Sequence, residues 1–425
     1  MSRDKTGTVK TRTENQIVVG LDVGSSKIKV VIGEIVPDSD LPNIVGVGES
    51  DSGDENGINA GAVLNVRRAA AAIQKAVAEA EKVAGVDVRR VTVGIAARSS
   101  TTMEGNGQIT ISKTGDREIT QTDRARVIEQ SSAIQLPSDR EILDVIPNEY
   151  MLDGNRVPDP CGCTGVRLEA KVQLVLVNPQ NRDNLFKAVE CAELEVAGYH
   201  LGTLACAEAV LSEEEKDAGV VLIDLGSSST NIAVFVDGTL RYAHAIPFGG
   251  DTVTRDLAVG LHANEDCAEE IKCMHGACRI SQVEDCTVKV PGIGNRPAHE
   301  VKRSELVGYI EPRIREIFED VGAQLDAKKV RDKLVAGAVL VGGGASLFGI
   351  KELAAEVLKL PVEIGVTQTG TEGLRCSTLK PCHTEGIGLV HLAAKAARQT
   401  SKGNSVAKAG SGALQAVWGV LRRIF

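Results

Sequence analysis

Aromatic residues are scarce in this chain of 425 residues, at 3% of positions. Its core must therefore be aliphatic, built from Val, Ile, Leu and Ala, and a 43% hydrophobic fraction supplies these. Long apolar runs are missing too: no stretch reaches the ~18 residues that would cross a bilayer. The opening MSRDKTGTVKTRTENQ is polar and lacks the apolar centre of a signal peptide, so the chain is expected to stay in the cytosol. Positive charge is not in excess. With 48 basic and 57 acidic residues, the net charge is -9, which argues against nucleic acid as a partner. Without a secretory context, the ten cysteines read as free thiols. Cys267, Cys273, Cys278 and Cys286 lie near one another but lack the paired knuckles of structural zinc. Neither G-x-x-x-x-G-K-[ST] nor G-x-G-x-x-G occurs, which excludes the two commonest nucleotide turns.

What is present is an internal repeat. Residues 17–32 read IVVGLDVGSSKIKVVI and residues 220–236 read VVLIDLGSSSTNIAVFV. Each is an apolar run, an Asp, a Gly-Ser-Ser bend and a second strand-like run, so each predicts a β-hairpin. Asp22 matches Asp224 and Gly24 matches Gly226, which predicts two related domains facing one another. A third glycine cluster, AVLVGGGASLFGIKELAAEVL at 338–358, reads as a strand running into a helix with Ser346 as its N-cap.

These pieces suit ATP. Bends without bulky side chains offer backbone N–H donors to phosphates, and two opposed bends would clamp a triphosphate from both sides. Ser25, Ser26, Ser228, Ser229 and Thr230 add hydroxyls, and Lys27 adds a cation. Asp22 and Asp224 are paired carboxylates suited to Mg²⁺ through its waters, positioning metal and water. Gly342, Gly343 and Gly344 before a helix would let a flat ligand approach the backbone.

The two hairpins resemble the phosphate loops of the actin, DnaK and sugar-kinase superfamily, and VLVGGGASLFGIKEL resembles its adenosine motif. Within that superfamily the chain is similar to the bacterial cell-division family FtsA, from about residue 16 to 425. HAIPFGGDTVTRDLA, CAEEIKCMHGA, DVIPNEYMLD, GVRLEAKVQLVLV and GNRPAHEV with YIEPRIREIF carry that likeness. The resemblance implies an α/β, actin-like (ribonuclease H-like) two-domain fold with an inserted small α+β subdomain of the 1C or SHS2 type. It implies ATP and Mg²⁺ as cofactors. Nucleotide contacts would come from Gly24, Ser25, Ser26 and Lys27, from Gly226, Ser227, Ser228 and Ser229, from Glu269 and Lys272, and from Gly342, Gly343, Gly344 and Ser346. Many relatives have Gly-Gly-Gly-Thr and a further Asp in the second loop; this chain has serines and Asn231. Binding is therefore expected more firmly than hydrolysis, and at most a weak ATPase.

The boundaries read as follows. Residues 1–15 form a tail; 16–84 and 165–207 form subdomain 1A, to which 376–398 returns. Residues 85–164 form the insert, 208–250 and 331–375 subdomain 2A, and 251–330 subdomain 2B. Strands at 91–96 and 109–112 and a helix from Thr122 to Ile134 are placed in the insert. A surface with Lys302 and Arg303, and with Arg313 and Glu316 one turn apart on a helix starting near Pro312, would by that resemblance take the C-terminal tail of FtsZ. Other implied partners are further copies of this chain in filaments and later division proteins.

Residues 399–412, QTSKGNSVAKAGSG, read as a flexible linker. The last thirteen residues, ALQAVWGVLRRIF (413–425), form an amphipathic stretch. On a helical wheel Leu414, Val417, Trp418, Leu421 and Phe425 share one side, with Arg422 and Arg423 on the other. That suits a helix lying among anionic lipids of the inner membrane. The function implied is an ATP-binding division protein that polymerises on the cytoplasmic face of the inner membrane. There it would tether FtsZ at the septum and help recruit later proteins. The alternative is a small-molecule kinase of the same superfamily.

Overall fold

The computed structural model describes residues 16–407 apart from 38, 53–56, 283–285, 295, 372 and 375–378. The expected N-terminal tail, the end of the linker and the membrane helix with Leu414, Val417, Trp418, Leu421, Arg422, Arg423 and Phe425 lie outside the described residues.

Each repeat copy opens a sheet. β1 (Ile17–Val23) and β2 (Lys27–Glu34) form the first hairpin, and β3 (Asn43–Asp51) pairs antiparallel to β2. A small pair, β4 (Ile58–Asn59) and β5 (Ala62–Val63), leads into α1 (Val66–Ala84). That helix is capped by Asn65, whose side chain accepts the Arg68 N–H, and stopped by Gly85 in the left-handed region. β6 (Arg90–Ile95) then runs parallel to β1.

An insert follows: β7 (Ser100–Thr110), α2 (Gln121–Ser132), β8 (Glu141–Leu152), β9 (Asn155–Val157) and β10 (Arg167–Val177). Its four strands form a separate sheet in the order β7-β10-β8-β9. It has its own core, in which Val127, Ile128, Leu168, Val172, Leu174 and Leu176 are buried. The chain returns through α3 (Pro179–Cys191) to β11 (Glu195–Leu201), which completes a first sheet ordered β11-β6-β1-β2-β3.

α4 (Gly202–Val210) and α5 (Glu213–Ala218) carry the chain across to the second half. There β12 (Val220–Leu225), β13 (Thr230–Val236) and β14 (Thr239–Ile246) repeat the first meander. α6 (Gly250–Leu261), α7 (Glu265–His275), the hairpin β15 (Thr287–Val290) with β16 (His299–Lys302), and α8 (Arg303–Ala327) intervene. β17 (Gly337–Val341), α9 (Ile350–Leu358) and β18 (Val362–Ile364) then finish a sheet ordered β18-β17-β12-β13-β14. Strand for strand this is the order of the first sheet. α10 (Thr384–Ala407) crosses back and packs on α4 and β1.

The second sheet is buried on both faces. Along β12, Val220 and Leu222 join the core shared with the first half, while Val221 and Ile223 join a second core with α6, α8 and α9. This follows from the two-residue period of a strand. It explains why both hairpins read as nearly unbroken apolar runs.

Four expectations need correction. The strand at 91–96 was placed in the insert, but β6 pairs with β1 and β11, whereas β10, placed in subdomain 1A, pairs with β7 and β8. The insert therefore runs from about Ala97 to Val177 rather than 85–164, since an alternating pattern identifies a strand but not its partners. The helix bearing Arg313 and Glu316 does not start near Pro312. It begins at Arg303 and carries the proline inside, because Leu306, Val307, Ile310, Ile314, Ile317, Phe318, Val321 and Leu325 are all buried along it. Burial of that stripe outweighs the lost N–H bond to Gly308. Ser346 is no N-cap: residues Gly343–Ser346 form a 3-10 turn, and α9 starts seven residues after Gly343 behind Gly349. The polar stretch expected as a linker from 399 begins as helix, since α10 continues to Ala407.

The start of α2 carries a prediction. Asp123 accepts hydrogen bonds from Thr120 N (3.0 Å), Thr120 Oγ1 (2.7 Å) and Arg117 (2.8 Å). Burial disfavours its charge, but these bonds outweigh that and hold the carboxyl down at about 2. Its contribution is thus present above the unfolded value near ~4 and lost as pH falls towards 2. Asp123→Asn should cost about 1 kcal/mol at pH 7, read as faster amide exchange in α2, with the difference from wild type shrinking at pH 2–3.

Candidate functional site

The two hairpin bends meet. Ser25 Oγ and Ser228 Oγ lie 2.7 Å apart across the space between the halves. Behind them is a cavity of about 640 Å³. All sixteen residues read from the sequence as contacting nucleotide or metal line it. They are Asp22, Gly24, Ser25, Ser26 and Lys27 from the first hairpin; Asp224, Gly226, Ser227, Ser228 and Ser229 from the second; Glu269 and Lys272 from α7; and Gly342, Gly343, Gly344 and Ser346 after β17.

The repeat extends to side-chain pairing. Asp22 sits opposite Lys29 in the first hairpin, and Asp224 sits opposite Asn231 in the second, at the same rung. Lys29 Nζ donates to Asp22 Oδ2 at 2.9 Å, and Asn231 Nδ2 donates to Asp224 Oδ2 at 3.0 Å. Burial opposes the charge on Lys29, yet Asp22 raises its pKa above the ordinary lysine value. Asn231 therefore orients the Asp224 carboxylate. Burial pushes Asp224 up, Asp22 adds to this by repulsion, and Asn231 and Lys29 offset only part. Gly342 closes over this pair: its φ is +85°, and a Cβ there would sit 2.4 Å from Asp224 Oδ1.

A third acid, which the sequence reading missed, completes the cluster. Glu385 begins α10 and reaches between two glycines: a Cβ on Gly94 or Gly202 would lie 2.0 Å or 2.4 Å from its Oε1. Burial first, then Asp22 and Asp224, drive its pKa well above the usual carboxylate range. Three desolvated acids thus face each other with Lys29 as the buried cation among them. Hard oxygen donors of this kind, which a divalent cation would hold in their ionised form, fit Mg²⁺ held through water. Such an ion would neutralise a polyphosphate and fix its orientation.

Other residues behave differently from expectation. Lys27, read as the phosphate cation, reaches back to Glu49 at 2.8 Å, and Lys29 is the buried one. Thr230, read as a further donor, is buried and donates to Phe248 O at 2.9 Å. Lys272, expected at the nucleotide, lines the cavity and is buried, donating to Gly250 O (3.0 Å) and Thr254 Oγ1 (2.8 Å). Burial works against the charge of Glu269, but its pairing with Lys272 keeps the carboxyl below its ordinary range.

Of the residues read as a partner surface, Lys302 is exposed at the head of α8 and Arg313 pairs with Asp256 (2.6 Å) and with Glu316. Arg303 instead turns inward, donating to His275 O at 2.9 Å. Lys29 had a signal, as a charge inside a β-branched strand run. Glu385 had none, because 363 positions separate it from Asp22 and only the fold joins them.

Comparison with known proteins supplies the rest. Residues 221–386 match the model of the cell division protein FtsA, and residues 97–176 match that of the SHS2 domain inserted in FtsA, close to the insert found here. The chain is 36% identical over 378 residues to the cell division protein FtsA of Pseudomonas aeruginosa, covering 88% of each. It is 34% identical over 386 residues to that of Bacillus subtilis, covering 90% of this chain and 85% of the relative. Among solved structures, a type IV pilus PilM-PilN complex chain superposes with TM-score 0.63 at 16% identity, covering 89% of this chain and 98% of its own. MreB 5 of Spiroplasma citri bound to AMPPNP does so with TM-score 0.56 at 12% identity, covering 92% and 99%. The fold is actin-like with an inserted SHS2 domain, and the extent of identity to curated relatives settles kinship: this chain belongs to the FtsA family of cell division proteins.

Proposed function

We propose that the cavity binds Mg·ATP and that the bound nucleotide favours head-to-tail filaments of this chain. The observation that carries this reading is the Ser25–Ser228 contact, which brings two equivalent phosphate-type bends together over a cluster of three acids. Gly24 to Lys27 and Gly226 to Ser229 would hold the phosphates. Gly342 to Gly344, Ser346 and α7 would hold the nucleoside, and Asp22 and Asp224 would position Mg²⁺ and water. Family membership supports the wider role. Filaments would lie on the cytoplasmic face of the inner membrane through residues 413–425, on anionic lipid. They would hold the FtsZ C-terminal tail near Lys302, Arg313 and Glu316, and later division proteins would join them at the septum. Head-to-tail contacts of this kind generate open filaments without further symmetry, and many weak tails on one filament bind a membrane by avidity. ATP then acts as an assembly ligand more than as a substrate.

Gly343 offers a clean test, because it lines the cavity and a Cβ there would have no protein atom within 4 Å. Gly343→Asp should weaken Mg·ATP binding, measured by calorimetry, by more than about tenfold through charge repulsion, while leaving the melting temperature nearly unchanged. Unaltered affinity would remove this cavity as the nucleotide site.

The membrane reading is checked by flotation with anionic liposomes, Mg·ATP and FtsZ, beside a chain ending at Ala407. FtsZ should float only with the full-length protein. If the full chain floats and leaves FtsZ behind, the partner is wrong and the anchor survives; if neither chain floats, the anchor is wrong.

A further inference from the structure

Two of the cysteines that line this cavity, Cys273 and Cys382, lie under opposite electrostatics. Cys382 stands on the 3-10 turn Pro381–His383 that precedes α10, and Cys273 stands on α7. The Cys382 sulfur lies within 4.8 Å of a His383 ring nitrogen and of a Glu49 carboxylate oxygen. His383 is buried and fixed from two sides: its Nδ1 accepts the Lys380 N–H at 3.1 Å, and its Nε2 meets Glu49 Oε1 at 2.7 Å. Glu49 Oε2 is taken up by Lys27 at 2.8 Å. Lys29 brings a second, buried ammonium within electrostatic reach of the thiol. The thiol therefore faces two lysines and an imidazole, and the nearby carboxylate of Glu49 is already engaged by two of them.

Cys273 meets the reverse. Its sulfur is 3.4 Å from Glu269 Oε1, and burial together with that carboxylate pushes its thiol up. At Cys382 burial also disfavours the thiolate, but His383 and Lys29 more than offset it. Cys161, Cys206, Cys267 and Cys278 are also shifted upward, chiefly by burial. A thiol open to a cavity, with an imidazole beside it and two ammonium groups nearby, is the setting in which cysteine becomes nucleophilic.

We propose that Cys382 is a reactive thiol, a modification site in the wall of the cavity that takes small two-electron oxidants of the peroxide class, and that its modification obstructs the bound nucleotide. The sulfur attacks one peroxide oxygen and the O–O bond breaks. Sulfur gives up two electrons and becomes a sulfenic acid, while the departing oxygen takes a proton and leaves as water or an alcohol. The added oxygen then stands in the cavity beside Lys27 and Lys29. The obstruction rests on the nucleotide reading above; the reactivity does not.

The test uses the full-length chain and hydrogen peroxide with dimedone as the trap, and peptide mass spectrometry follows Cys382 and Cys273 in the same molecules. Cys382 should react at least about tenfold faster, although Cys273 is the more exposed of the two. Equal rates, or a faster Cys273, overturn the proposal. His383→Asn should slow Cys382 and leave Cys273 unchanged. A misfolded variant is recognised because both sites then react alike. In a second arm, binding of a fluorescent ATP analogue is followed independently. Saturating nucleotide should protect Cys382, and nucleotide bound without protection overturns the obstruction. If no nucleotide binds, the reading of the cavity as an ATP site fails, and the ratio of the two rates still decides the thiol.

Discussion

A cluster of buried acids dominates the centre of this molecule. Asp22, Asp224 and Glu385 come from three distant parts of the chain and converge where water is largely excluded, with Lys29 as the buried cation between them. Removing carboxylates from water is costly, and repulsion between them adds to that cost. The surrounding structure is arranged to tolerate it. Lys29 and Asn231 occupy equivalent rungs of equivalent hairpins and each fixes one aspartate. Gly94, Gly202 and Gly342 leave room that any side chain would fill. A divalent cation would let these acids ionise, and the polyanion it accompanies would occupy the donors of the two bends.

The repeat was legible in the sequence because it is local: an apolar run, an acid, a small-residue bend and a second run lie within seventeen residues. The structure extends that likeness to five strands in the same order in both halves, which no single window displays. Membership of the insert was misread at both ends. β6 and β10 carry equally good strand patterns, and hydrogen-bonded pairing alone separates them. The proline within α8 was misread for a related reason. A local breaker signal lost to a long apolar stripe that gains its value only when α6 and α9 are packed beside it.

The cavity was half legible. Residues at the bends were found by their glycines and hydroxyls, and all of them except Thr230 line one space. Residues that tune the site were not found. Glu385 lines it from the first turn of the last helix, Cys382 from the turn before that helix, and Glu49 from the strand beside the first hairpin. Their meaning depends on distances that sequence spacing does not encode. Lys27 and Lys29 show the same limit within one strand. Two residues apart and chemically identical, one is half exposed and bound to Glu49, and the other is buried against Asp22.

The chain passes between its two halves twice, once through α4 and α5 and once between β18 and α10. A body joined to another at a single point can swing and twist freely. Joined at two, it retains mainly rotation about the line through both points, like a door on a pair of pins. The bends meet at the Ser25–Ser228 hydroxyl contact, so a turn of one half against the other would part or press together the mouth of the cavity. A ligand wedged between those two hydroxyls would therefore alter the angle between the halves.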